Sequence, residues 1–281
     1  MRMPRFKPSA ANIATLIGGV LIAAVFLIPV LWLVSLALRT PKEIFLGAAR
    51  FIPEAPTLDN FARVFRDTGF PGYLWNGFKL SALGAVGSAV VAAPAAYAFS
   101  RFDFRGRAGL MMAILAVQMV SGLVILIPLY RYMSALGLVE THFGTALIYI
   151  AIGIPLTAWL LKTTFDGIPM VLEEAAAIDG CSRPGTFVRI TLPLAAPGIA
   201  SAIILNLILN WSQFLVPLLM LTEESQWPIS VAIFKYAGST TASTTQLLAA
   251  ACLITILPAV ACFLALQRMI VSALTAGAVK G

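Results

Sequence analysis

An all-helical integral membrane protein with six spans is the fold class this sequence predicts. Three observations lead there. Of 281 residues, 60% are hydrophobic and only 11% are charged, whereas soluble domains carry about 25% charged residues. The mean hydropathy is +0.93, and a soluble chain of this size could not bury so much apolar surface. Six stretches of roughly 20 apolar residues are each long enough to cross a hydrocarbon layer of ~30 Å as a helix.

The first run, Ile13–Leu38, follows Arg2, Arg5 and Lys7, and Ser35-Leu36-Ala37 mimics a cleavage site. It far exceeds the roughly 7–15 apolar residues of a signal peptide, so it is read as a retained span. Arg39–Gly72 mixes charges with Pro41, Pro53, Pro56 and Pro71. That composition suits an irregular outer loop with short helical pieces such as Leu58–Arg66. Spans two, three and four are Tyr73–Phe99, Leu110–Tyr130 and Phe143–Leu161. A polar loop, residues 166–197, leads into span five, Gly198–Leu221. The Ser- and Thr-rich stretch Thr222–Gln246 is expected to be exposed, and span six is Leu247–Leu266. Residues 1–281 thus read as a single transmembrane domain.

The net charge is +7, but the 19 basic residues are scattered between apolar runs. Nucleic-acid binders cluster Lys and Arg on one face, so nucleic acid is excluded and the lipid bilayer is the partner. Basic residues then set orientation. With the N-terminus inside, eleven fall on inner segments: Arg2, Arg5, Lys7, Arg101, Arg105, Arg107, Lys162, Arg183, Arg189, Arg268 and Lys280. Seven fall outside, namely Arg39, Lys42, Arg50, Arg63, Arg66, Arg131 and Lys235, with Lys79 inside span two. Five of those seven share the one longer loop, where charges count less. Both termini and the 166–197 loop are expected in the cytoplasm.

That loop is the most informative stretch. Pro169 suits a first helical turn. Glu173 and Glu174 follow, and Ala175, Ala176 and Ala177 favour helix strongly. Gly180 supplies the left-handed residue that ends the helix, and Asp179 can bond the turn backbone or a basic partner. Ser182 and Pro184 can open a second helix, closed by Pro193 and Pro197. Composition alone leaves open a solvated hairpin joining two spans, or a docking surface for a soluble protein.

Inside the membrane, Asn206, Asn210 and Gln213 fall at i, i+4 and i+7 of span five, which aligns three amides on one helix face. Amides donate and accept, so they can exchange hydrogen bonds with solute hydroxyls without the cost of burying a charge. Trp211 lies beside them and could stack on a sugar face. Interhelical bonding is the alternative use of such side chains. Gln118 and Ser121 form a second polar stripe on span three. Lys79 is placed to snorkel towards headgroups, and Gly84 and Ser88 form a small-residue packing pair. A lone His142 cannot build a metal site. Cys181, Cys252 and Cys262 match no zinc spacing, and their odd number argues against a disulfide framework. No nucleophile accompanied by a base and no phosphate-binding G-x-x-x-x-G-K-[ST] loop occurs. No catalytic, cofactor-binding or metal residues are expected.

Glu-Ala-Ala, three residues, Gly, then Leu-Pro, within Glu173–Pro197, resembles the signature loop of binding-protein-dependent ABC importer permeases. IPLYRYMSALGLVETHFG (Ile127–Gly144), IPMVLEEAAAIDG (Ile168–Gly180), NWSQFLVPLLML (Asn210–Leu221) and AYAFSRFDFRGR (Ala96–Arg107) are similar to the carbohydrate branch. The similarity is strongest to the maltose-type second permease subunit and runs from Trp75 to the C-terminus. One departure is Trp211-Ser212-Gln213 before Phe214-Leu215, where that family often has Trp-Asn and an acidic residue.

The resemblance implies a type I ABC importer permease fold and a coupling helix that docks on an ATPase. It carries that role onto Glu174, Ala175, Ala176, Asp179 and Gly180, with Glu173 as a second contact. It also implies partners: a second, similar permease, two ATPase subunits that bind the ATP and Mg, and an extracytoplasmic sugar-binding protein. The location would be a bacterial-type cytoplasmic membrane, and the chain would perform no covalent chemistry. An independent channel or ion-coupled carrier would need ionisable groups inside the spans, where Lys79 stands alone. A permease for a non-sugar solute stays open.

Overall fold

The structure is a computed structural model, and it describes residues 10–45, 50–66, 69–237 and 244–278, with side chains between 15 and 264. Among the described residues all regular elements are helical. In chain order they are α1 (Ala10–Ala37), α2 (Pro41–Phe45), α3 (Asp59–Arg66), α4 (Phe70–Arg101), α5 (Arg107–Ala116) and α6 (Gly122–Ala135). Then come α7 (His142–Asp166), α8 (Val171–Ile178), α9 (Arg183–Thr186), a π-helical turn (Phe187–Thr191), α10 (Leu192–Leu194) and α11 (Ala196–Trp211). The last are α12 (Leu215–Met220), α13 (Ile229–Ala232) and α14 (Thr245–Ala278), with short 3-10 turns between.

Four helices are long and apolar enough to cross a membrane, and six if each of two bent helix pairs counts as one span. The expected single helix through Leu110–Tyr130 is broken. Arg107–Met119 and Gly122–Ala135 meet at 94°, with Val120 and Ser121 extended between them. Ser and Gly are among the residues at which helices kink, and here they are adjacent as Ser121-Gly122. Span five is also interrupted, since α11 ends at Trp211 and α12 begins at Leu215. Pro217 gives the physical reason: it has no N–H for the carbonyl of Gln213 and its ring would crowd that carbonyl. At the other end, Pro193 does not close a helix; the helical path runs through it to Leu194, and Pro197 lies in the first turn of α11. The pair Arg183–Leu194 and Ala196–Trp211 meets at 74°. Span six runs further than expected, to Ala278. The Leu58–Arg66 piece is present as α3.

The chain divides into two compact units, residues 1–67 with 233–254, and 68–232 with 255–281. In the first, Asn60 at the start of α3 is fully buried and its amide donates to the carbonyls of Ala37 and Arg39, both at 2.8 Å. Arg39 lies over the Trp32 ring, 5.1 Å from its centroid. The apolar side chains of α1 are largely exposed, as with Phe26 at 73%, which suits a helix whose solvent is lipid.

In the second unit α4 packs along α7 and α11. Glycines set the closeness. A Cβ on Gly84 would lie 2.6 Å from both Asn210 Nδ2 and Tyr149 Cβ, and one on Gly153 would meet Ser88 Oγ and, at 2.7 Å, Asn206 Oδ1. Ser88 donates to the Gly84 carbonyl at 2.7 Å and to Ile150 of α7 at 3.0 Å. The Gly84–Ser88 pair therefore acts as the sequence suggests, as a close helix-packing surface.

Candidate coupling surface and pathway cavity

The loop after α7 builds a short helix with two unlike faces. α8 ends as expected at Gly180, whose φ is +83°. Cys181 N–H donates to Ala176 O at 2.9 Å and Gly180 N–H to Ala177 O at 3.1 Å, the paired bonds of a glycine-terminated helix. Ser182 then caps the next helix through the Gly185 N–H at 3.4 Å. Glu174, Ala175, Ile178 and Asp179 are exposed, with Ile178 87% accessible. Glu173 and Ala176 point inward, at 9% and 6%. The expected outward contact by Glu173 is thus corrected: its carboxylate is committed inside the chain. Ala176, expected on the same surface, is also interior because it lies three residues on, on the same helical face.

Glu173 is the hub of a buried network. Its Oε1 receives Arg101 Nε at 2.8 Å and Thr191 Oγ1 at 3.0 Å, and its Oε2 receives the Tyr97 hydroxyl at 2.8 Å. Arg101 reaches on to the Ile168 carbonyl at 3.0 Å. The Tyr97 ring packs edge-on against Phe102 and Phe165 and tilted against Phe187, with centroids at 6.2, 6.0 and 4.7 Å. Arg183 lies over Phe102 at 5.3 Å. Sequence reasoning missed this network, since Arg101 and Glu173 are 72 residues apart and no local pattern links them.

Elsewhere in the unit, four of the expected pathway residues share a half-open cavity of about 310 Å³. Gln118, Asn206, Asn210 and Gln213 line it together with Ile152, Gly153, Leu156, Leu209 and Ser212. The volume is at the lower end of small-molecule sites, roughly 300–1,000 Å³. Asn206 donates to Thr157 Oγ1 at 2.7 Å and to Ala202 O at 3.0 Å, and Asn210 to Ser81 O at 3.4 Å. Gln118 donates to the Ile152 carbonyl at 3.1 Å. The amides thus serve both uses weighed from the sequence: they tie helices together and they face a cavity. Asn206 and Asn210, at i and i+4 of α11, line it from one helix face as the sequence suggests, and Gln213 joins them from the break after α11. Trp211 is not in the wall; it is 8% exposed and its Nε1 donates to Thr255 O of α14 at 3.2 Å. Ser121 precedes α6 outside the wall. The α7 contributors, above all Gly153, were not singled out beforehand. A lone glycine within an apolar run beside Pro155 was the only signal. An open depression at Asp103–Gly109 is a bend between α4 and α5 and gathers no such set of side chains.

At the opposite end of the unit, the turn into α7 is locked to the segment after α12. Glu140 has φ +60°, and its carboxylate accepts the Thr222 hydroxyl, the Thr222 N–H at 2.9 Å and the Glu223 N–H at 3.3 Å. The Thr222 hydroxyl above all holds this carboxyl below its ordinary pKa, against a smaller opposing effect of burial. His142 Nε2 pairs with the Gln226 carbonyl at 2.9 Å, which gives the single histidine a structural role. Among the described residues no group of His, Cys, Asp and Glu could hold a metal.

Several apolar spans, a capped polar helix displayed on one loop and an amide-lined cavity between helices define a polytopic solute-transport protein. The chain belongs to the family of binding-protein-dependent transport system inner membrane components, whose profile matches residues 76–276. The trehalose transport system permease protein SugB of Mycobacterium tuberculosis is 35% identical over 262 residues, 93% of this chain and 95% of its own length. The trehalose/maltose transport system permease protein MalG of Thermococcus litoralis is 33% identical over 272 residues, covering 96% and 97%. Among solved structures, a chain of a bacterial ABC transporter that imports the acidic polysaccharide alginate superposes with a TM-score of 0.77 at 23% identity, over 95% of this chain and 99% of that one. The fold is that of type I ABC importer permeases. Family membership makes the chain a membrane permease subunit, not an independent channel or carrier, and the relatives are permeases rather than enzymes.

Proposed function

We propose that this chain is one of two unlike permease subunits of an ATP-driven importer for a sugar or sugar-like solute. The observation that carries the reading is the cavity in which Gln118, Asn206, Asn210 and Gln213 converge. Neutral amides suit a neutral, hydroxyl-rich solute, because they exchange donors and acceptors without a charge to desolvate. The relatives named for trehalose and maltose support the same solute class. Two ATPase subunits bind ATP and Mg and hydrolyse the nucleotide; this chain binds neither. One of them docks on the exposed face of α8, where Glu174, Ala175, Asp179 and Gly180 are presented. A binding protein delivers solute from outside, and both termini lie in the cytoplasm of a bacterial-type cell. A solved alginate transporter in complex with a pentasaccharide-bound periplasmic protein supports that arrangement by its fold.

The test is mild-detergent purification of the tagged chain from its host membrane, followed by identification of what accompanies it and uptake of labelled disaccharides by the reconstituted complex. An ATPase, a second permease and ATP-dependent disaccharide uptake are expected. Recovery of the chain without an ATPase overturns the coupling assignment. Recovery with an ATPase but uptake of amino acids instead of sugars overturns the solute class.

A further inference from the structure

We propose that Glu173, Arg101, Tyr97 and Thr191 form a clamp that makes α8 and the inner end of α4 move as one body. The proposal rests on the reading of α8 as the ATPase-docking helix. Two segments converge on the carboxylate that α8 presents, α4 through Tyr97 and Arg101 and the π-helical turn through Thr191, and Arg101 also holds the α7–α8 linker through the Ile168 carbonyl. Glu173 and Arg101 side chains are 9% and 7% exposed, so their charge-assisted bonds are shielded from water and directional. Phe102, Phe165 and Phe187 pack around the Tyr97 ring and leave the residue 9% exposed. The π turn contributes at both ends, with Phe187 on the ring and Thr191 on the carboxylate. Such turns are rare and occur often at functional sites.

A hairpin that only had to be soluble would not need this arrangement. Buried ion pairs add little net stability over well-packed apolar residues, and their best-attested use is to fix one geometry. Here the fixed geometry has a use. Glu173 faces in from the helix whose other face, one residue on, displays Glu174. From Arg101, α4 runs as a single helix, with Pro94 within it, to Ser81, whose carbonyl accepts Asn210 in the cavity wall. Twenty helical residues span about 30 Å. A displacement of α8 is therefore delivered to the amide cavity along one continuous helix rather than absorbed in a loop.

These are positioning residues, so the test separates coupling from folding. The complete transporter, reconstituted in proteoliposomes, is assayed for ATP hydrolysis and solute uptake, and the ratio of solute moved to ATP hydrolysed is taken. Tyr97→Phe and Thr191→Val each delete one hydroxyl and keep the shape; Glu173→Gln keeps size and removes the charge. Expected is a fall in the ratio of about 5-fold or more for Glu173→Gln, the lower edge of typical coupling between sites. Smaller falls are expected for the two hydroxyl deletions, with Thr191→Ser at the wild-type ratio. Unchanged ratios in Tyr97→Phe and Thr191→Val overturn the clamp, whether or not Glu173→Gln assembles. If the wild-type chain recruits no ATPase, the docking reading itself fails, a result distinct from failure of the clamp.

Discussion

Glu173 and Glu174 are adjacent and chemically identical, yet one is locked in a buried network and the other faces solvent. The helical step of 100° between neighbours makes this division, and Gly84 and Gly153 show the same selectivity by size. Gly84→Ala places a methyl group 2.6 Å from Asn210 Nδ2 and Tyr149 Cβ. It should destabilise the purified chain by about 1–3 kcal/mol, as overpacking does. Gly109→Ala, with no atom within 4 Å, should be neutral or stabilising by up to ~1 kcal/mol. Thermal unfolding of the two variants in detergent checks the contrast. Glu140 carries a pH prediction. Its folded-state pKa lies below its ordinary 4.5, so its contribution is complete above that value and is lost as pH falls through the depressed one. Amide exchange at Thr222 and Glu223, corrected for its intrinsic pH dependence, should accelerate in acid for the wild type. In Glu140→Gln the exchange should already be fast at neutral pH, with no further acid step.

At the scale of elements, the ends of helices matter more than their middles. The left-handed Gly180 stops α8 and returns the chain towards α9. Gly180→Pro would force φ to about −65° and delete the N–H bonded to Ala177. Transport is expected to fail while membrane insertion and ATPase activity persist; normal uptake in that mutant would refute the coupling role of α8. The break at Ser212–Phe214 works similarly on the cavity. Gln213 lies in it and lines the wall with Asn206 and Asn210. Gln213→Leu keeps the volume and removes both hydrogen-bonding functions. It should weaken solute uptake several-fold with little change in basal ATP hydrolysis, read in the same proteoliposomes.

At the scale of the whole molecule, the testable quantity is orientation. A cytoplasmic α8 puts the half-exposed Cys181 inside. A membrane-impermeant maleimide should label it in inverted vesicles and not in intact spheroplasts, in a background where Cys252 and Cys262 are replaced by Ser. Labelling from outside would reverse the topology drawn from the basic residues.

Much of the fold was legible because its signals are local. Length and hydropathy specify helices in lipid, where each backbone group must be bonded within its own segment. Gly180 specifies where α8 stops, because its left-handed φ acts through its own backbone. The Glu-Ala-Ala loop was equally plain, being contiguous. Pro217, which interrupts a span that hydropathy alone reads as continuous, acts in the same local way. Two things were decided only by tertiary structure. Trp211 turns to Thr255 instead of the cavity, while Gly153 of another helix enters its wall. Glu173 finds Arg101 across 72 positions of chain. Each depends on contacts between distant segments, whose energies are fixed by packing and by the exclusion of water, and no local pattern of residues encodes them.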